Sequence, residues 1–327
     1  MEQKTEATFE FSGFLMGHNG QVTSIACGST TGDEDTVLVS GSRDKTLIIW
    51  DLTTRLQENH YGEPFKALTG HSHFVTDLTL SSDKSYLISS SWDKSLRLWD
   101  VRYARCLERF VGHNKEVHSV TFSSDNRQIF SGGSEKNLFI WNTLGQCKVK
   151  SEHNNHLGWV SKVRYSQSRK NDYYASVGRD GRLKIWSGIF KLYASIKAHD
   201  NYINALAIST NGQYIATGGK DQNIRIWDYN DLSKPYQDLK TDSEVHALDF
   251  NTHFMWVAAA TDNKIKVYDI MKKEELCVLS QDPEMPEEAD EHTPKPRCTS
   301  IKWSSNSKKL YVGCSDGHIR VYDVIIS

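Results

Sequence analysis

From Ser40 to Trp50 the chain reads SGSRDKTLIIW: small and apolar positions, a short polar turn, then an apolar run closed by an aromatic residue. Turn-forming residues bracketed by β-branched and aromatic runs predict two strands joined by a tight connection. The pattern returns at Ser89–Trp99, Ser131–Trp141, Ser176–Trp186, Thr217–Trp227, Ala258–Tyr268 and Val312–Tyr322. Every copy places an acid six positions before the closing aromatic: Asp44, Asp93, Glu135, Asp180, Asp221, Asp262 and Asp316. The first five copies also have Ser or Thr ten positions before it. Agreement at fixed offsets over the whole chain marks a repeat protein.

The closing aromatics at 50, 99, 141, 186, 227, 268 and 322 are separated by steps of 49, 42, 45, 41, 41 and 54 residues. Such steps fit one four-stranded propeller blade, roughly 40–45 residues. Seven blades take up residues 1–327 and predict a single all-β domain. In blade one the strands are expected at Val22–Ala26, Thr36–Gly41, Thr46–Trp50 and Pro64–Leu68. Two loose ends then fit together. The apolar alternation at Thr8–Met16 belongs to no repeat, and the seventh repeat stops after its third strand, VYDVII. Pairing the two completes the seventh blade and closes the ring, removing an open sheet edge. Loss of residues 1–16 is therefore expected to destabilise the protein strongly.

In a meander blade of strands a to d, the d–a connection and the b–c turn lie at the same end. The pairs Gly17-His18, Gly70-His71 and Gly112-His113 fall in d–a connections, and the acids fall in b–c turns. A chain of partners follows: indole to hydroxyl, hydroxyl to imidazole, imidazole to carboxylate. In blade one the set is His18, Ser40, Asp44 and Trp50; in blade two it is His71, Ser89, Asp93 and Trp99. Each polar group there needs a partner, because an unpaired buried one costs about 1–3 kcal/mol. Blade three substitutes Glu135, blade four has His156 and blade five has His199. Blades six and seven lack the Trp, the hydroxyl and an evident His, and are expected to rely on apolar packing.

Recurrence in every blade makes these residues structural rather than catalytic. His71 and His73 have no third metal ligand in view, GSRDKT lacks the second glycine of a phosphate loop, and no nucleophile motif is present. The reading is a non-enzyme with no cofactor and no metal. The six cysteines are scattered and read as reduced thiols, and no apolar run is long enough for a transmembrane helix. An intracellular, cytoplasmic protein without membrane insertion is expected.

Charge adds one feature. The net charge is −2, yet residues 101–200 carry 17 Lys and Arg against 8 Asp and Glu. That leaves a sector of +9 in a remainder of −11, and such a sector can bind a polyanion locally. The opposite bias sits at 281–297, QDPEMPEEADEHTPKPR, where six acids and four prolines read as an exposed, mobile loop between blades six and seven. Two further positions attract attention. Arg43 and Lys45 flank the inward-held Asp44, so both should project from a stiff turn as ready phosphate contacts. Trp92 stands in the blade-two turn where no network requires an indole, which makes it either a binding anchor or a cap on the neighbouring blade.

The stretches GSRDKTLIIWDL (41–52), GHSHFVTDLTLSSD (70–83), SWDKSLRLWD (91–100) and RFVGHNKEVHSVTFSSDNRQIFSGG (109–133) resemble the receptor-for-activated-C-kinase family of WD-repeat scaffolds, which are similar to G-protein β subunits. The resemblance runs the length of the chain and is most specific in blades one to three. It implies a non-catalytic adaptor on the head of the small ribosomal subunit that contacts rRNA and neighbouring ribosomal proteins and recruits protein kinases and translation factors. By the same resemblance Arg43 and Lys45 match the basic pair that touches rRNA, Lys94 fits a basic rRNA-side position, and Lys66 preserves charge before the second Gly-His. Lys264, Lys266 and Tyr268, in KIKVYDI, correspond to a kinase-docking strand. Two departures stand out: Thr69 replaces a usual cation, and the blade-three turn reads SEKN. A free cytosolic signalling adaptor without ribosome binding is the alternative.

Overall fold

The computed structural model describes residues 7–29, 37–53, 60–168, 170–262, 264–280 and 295–326. Within them lie 28 strands and no helix, arranged as seven four-stranded antiparallel meanders. In blade one, strand a is Val22–Gly28, b is Val37–Ser42, c is Leu47–Asp51 and d is His60–Leu68. The fourth strand starts earlier than the sequence suggests, and Thr36 and residues 281–294 of the acidic stretch lie outside the described residues.

Blade seven takes strands a to c from Cys298–Trp303, Lys309–Cys314 and Ile319–Ile326, and its d strand is Ala7–Leu15. The antiparallel register runs from Ala7 opposite Ile326 to Leu15 opposite Ile319. Closure goes one step further than the repeat pattern predicts. The same strand also pairs in parallel with strand d of blade one, Phe14 beside His60 and Leu15 beside Gly62. Blades one and seven thus share one eight-stranded sheet.

The apolar core is divided among the spaces between blades. Val39, Leu47 and Ile49 of blade one pack on Val75, Leu78, Leu87 and Trp99 of blade two, all buried. A small residue in strand b lets the blades approach. A Cβ on Gly41 would come within 2.8 Å of Val75 Cγ1, one on Gly132 within 2.6 Å of Val160 Cγ1, and one on Gly218 within 2.7 Å of Val245 Cγ1. Hydroxyls also clasp the seams: Thr23 Oγ1 donates to the Val75 carbonyl between blades one and two, and Thr76 Oγ1 to that of Val117 between blades two and three, both at 2.8 Å.

Candidate nucleic-acid interface

The framework of the turn face is a hydrogen-bond chain repeated in five blades. In blade one the Trp50 indole N–H donates to Ser40 Oγ at 2.8 Å, and that hydroxyl lies 2.7 Å from His18 Nε2. His18 Nδ1 lies 2.8 Å from Asp44 Oδ2. Asp44 also accepts from the amides of Asn19 and Thr46 at 3.0 and 2.9 Å. Blade two repeats this with Trp99, Ser89, His71 and Asp93 at 2.8 Å for each link. Blades three, four and five form it through His113 and Glu135, His156 and Asp180, and His199 and Asp221. Glu135 is long enough to reach the embedded imidazole, so the longer acid leaves the chain of partners intact.

Electrostatics follow from this geometry. Burial alone would raise the Asp44 carboxyl, but hydrogen bonds from His18 and Thr46 outweigh it and hold the group at about 2. Asp180 is likewise held at about 2 against burial by His156 and backbone amides. Burial pushes His71, His113 and His199 down, so the imidazoles sit neutral between hydroxyl and carboxylate.

Blades six and seven have Ala258 and Val312 in place of the hydroxyl and Tyr268 and Tyr322 in place of the indole, yet the acid of each keeps a partner. His246, from strand a of blade six, places Nε2 2.8 Å from Asp262. In blade seven Arg320 donates to Asp316 at 2.9 Å from strand c. Apolar packing is expected to hold these blades mainly, and the recurring acid in each adds a cationic or imidazole partner from a different strand, which the expected pattern does not include.

On this framework Arg43, Lys45 and Lys94 are exposed on adjacent b–c turns. Lys45 has φ 74° and Lys94 φ 67°, left-handed conformations that the tight turn imposes. The backbone amides of Arg43 and Lys45 are tied to Gln21 and Ser42 at 3.0 and 3.2 Å. Among the described residues neither side chain is held by an acid. The Arg43 guanidinium instead lies 5.5 Å over the Phe74 ring of blade two. Lys66 stands apart, exposed in the outermost strand of blade one, with Nζ 5.2 Å from the Phe65 ring.

Of the expected partner-binding residues, two are buried and Trp92 is half-buried. Trp92 is half-buried against His73, Phe74 and His118, and its indole N–H donates to His118 Nδ1 at 3.3 Å. It caps its neighbour instead of standing free. Tyr268 is 3% exposed within the core between blades five and six. Lys266 is 7% exposed, its ammonium paired with Asp242 at 3.0 Å and Glu275 at 3.6 Å. Of the three residues on strand c, Lys264–Asp269, Lys264 at its start is the exposed one.

The face also holds residues that sequence reasoning passed over. His118 stacks on Trp159 with centroids 5.6 Å apart, and Arg179 lies 4.1 Å over the same Trp159 ring and 5.3 Å over Tyr202. A usable signal existed: Arg179 precedes Asp180 as Arg43 precedes Asp44. Among the described residues no group of three His, Cys, Asp or Glu side chains could hold a metal, and no helix is long and apolar enough to cross a membrane.

The family model for the WD domain, G-beta repeat, matches residues 9–51, 62–100, 104–142, 190–228, 233–269 and 289–323. The chain is 46% identical to the small ribosomal subunit protein RACK1 of Neurospora crassa over 314 residues, covering 96% of each chain. It is 43% identical to the protein of the same name from Drosophila melanogaster over 98% of each. It is 44% identical to MST50-interacting protein 11 of Pyricularia oryzae over 96% of each.

Proposed function

Because the chain belongs to the WD-repeat family that includes the small ribosomal subunit proteins RACK1, we propose that it is a scaffold of the small ribosomal subunit, one seven-bladed domain acting without catalysis. The observation that carries the anchor is the turn at Arg43 and Lys45: two exposed cations on a backbone fixed by Asp44, with no acid of the described chain competing for them. Preordered cations lose little side-chain and loop freedom on meeting phosphate oxygens, and such contacts position a protein without reading sequence. Arg43 and Lys45 take the rRNA backbone, Lys94 extends the contact on the adjacent turn, and Lys66 meets it from the rim. Neighbouring ribosomal proteins complete the seat. The faces left free recruit protein kinases and translation factors, with Lys264 the one exposed member of the suggested docking strand.

Cosedimentation with small subunits in a sucrose gradient tests the anchor. Wild type should travel with the subunit and weaken as salt rises, while Arg43→Asp combined with Lys45→Glu should remain at the top. Normal cosedimentation of that variant at moderate salt refutes the anchor. Failure of wild type to cosediment favours a free signalling adaptor.

A further inference from the structure

The b–c turn face surrounds the mouth of the central channel, a cavity of about 690 Å³ whose lining includes Arg43, Phe74, Trp92, His118, Trp159 and Arg179. Two acids, Asp77 and Asp249, also line it or its wall. Both are neutralised deep inside: Asp77 by Arg164 at 2.7 Å and Lys162 at 3.1 Å, Asp249 by Lys302 at 2.8 Å. Among the described residues the guanidinium groups of Arg43 and Arg179 at the mouth have no such partner. Arg179 is exposed and held between Trp159 and Tyr202, and among the described residues no acid pairs with it. Two rings restrain its position, and its exposure leaves N–H groups for a carboxylate, which a guanidinium accepts through two parallel hydrogen bonds. Arg43 repeats the device three blades away, over Phe74.

The rings help to identify the ligand. Trp159 has His118 stacked on it and Arg179 near its ring, and the Trp92 indole is committed to His118. These rings are already occupied, so they make a poor stacking platform for nucleobases, which single-stranded nucleic acid requires. Partly exposed Trp159 (38%) and Tyr202 (43%), with Leu157 (76%) two residues before Trp159, offer apolar contact around an arginine. Trp, Tyr and Arg together are the composition of protein-interface hot spots.

We propose that the channel mouth is a second binding site, specific for an acidic peptide segment of a protein partner, with Arg179 gripping a carboxylate, Trp159, Tyr202 and Leu157 contacting flanking apolar side chains, and Arg43 available to a further carboxylate when the rRNA does not occupy it. Arg179 lies in the basic sector and outside the proposed rRNA anchor, so the two sites separate by mutation.

The test is selection of random dodecapeptides displayed on phage against the full chain, followed by fluorescence anisotropy of the enriched peptides, with a twelve-nucleotide oligouridine as the competing probe. Enriched peptides should carry Asp or Glu next to apolar residues, and Arg179→Ala should weaken them at least tenfold. Arg179→Lys should weaken them nearly as much, because an ammonium cannot form the two-pronged contact. Both variants should unfold at the wild-type denaturant midpoint and cosediment with small subunits as wild type does. Enrichment without acids, unchanged affinity in Arg179→Ala, or Arg179-dependent binding of the oligonucleotide in place of the peptides would each overturn the assignment.

Discussion

The Nδ1 of His18 and the carboxylate of Asp44 meet at 2.8 Å although 26 residues separate them, and the contact ties a d–a connection to the b–c turn of the same blade. Ser40 sits at the centre of the chain of partners that extends from it. Ser40→Ala would leave both the Trp50 indole N–H and His18 Nε2 without partners in a buried site. Each unpaired group costs about 1–3 kcal/mol, so the variant should lose on the order of 2–5 kcal/mol by urea titration. Trp50→Phe, which removes one of the two, should lose less.

Acid should act through His118 before it acts through the carboxylates. Burial, followed by the nearby Arg179 charge, pushes this imidazole from 6.5 down to about 4. Its Nδ1 accepts the Trp92 indole N–H and its Nε2 lies 2.9 Å from Ser134 Oγ, so a second ring proton would face the Trp92 donor. Because the folded value lies below the unfolded one, the unfolded state binds more protons and stability falls as pH drops from about 6.5 toward 4. Asp44 contributes in a lower window, between its ordinary 3.8 and about 2, where protonation removes the His18 contact. Urea midpoints measured from pH 8 to pH 3 should show the first decline, and His118→Gln should make it shallower, with His71, His113 and His199 accounting for what is left. An unchanged slope in that variant would assign the decline to the other buried imidazoles.

Lys45 allows stability to be separated from binding. A non-glycine residue in the left-handed region carries a penalty of about 1 kcal/mol, and the equivalent turn position is Gly181 in blade four and Gly317 in blade seven. Lys45→Gly should therefore gain about 1 kcal/mol in urea while losing cosedimentation with small subunits. A gain in stability with intact binding would remove Lys45 from the anchor.

The seam between blades three and four is set by Gly132. A methyl group at this position would come within 2.6 Å of Val160 Cγ1, so Gly132→Ala should cost about 1–3 kcal/mol. Val160→Ala creates a cavity alone, and combined with Gly132→Ala it should recover part of both losses. A double-mutant cycle by urea unfolding would show a coupling of about 0.5–3 kcal/mol; additivity would mean that the blades shift apart instead.

Fixed offsets made the ring, its closure and the hydrogen-bonded quartets of the first five blades readable from residue types. Each of those is local to one blade or recurs at a constant spacing. What escaped depends on contacts between blades. Nothing near Tyr268 in the sequence says that its strand is covered on both sides, and nothing near Trp92 says that His118, 26 residues on, will take its N–H. Asp262 has its partner in His246 of strand a, where the other blades have Thr23, Thr76, His118, Ser161, Asn204 and Thr299, so no constant residue type at a constant spacing marks it. Arg179 shared its turn position with Arg43, but its meaning lies in rings from two connections, at Trp159 and Tyr202.

The closing strand sits between two segments made at different times. Strand d of blade one, beside which Leu15 lies, emerges early in synthesis; the antiparallel partner Ile319–Ile326 emerges more than 300 residues after Leu15. Ser12 reaches Asp323 across 311 residues of chain. During translation Ala7–Leu15 can hold its short parallel pairing with blade one while the edge meant for blade seven stays open. Until Ile319–Ile326 is made, that edge of Ala7–Leu15 lacks its antiparallel partner, and filling it is what joins blades one and seven into one sheet.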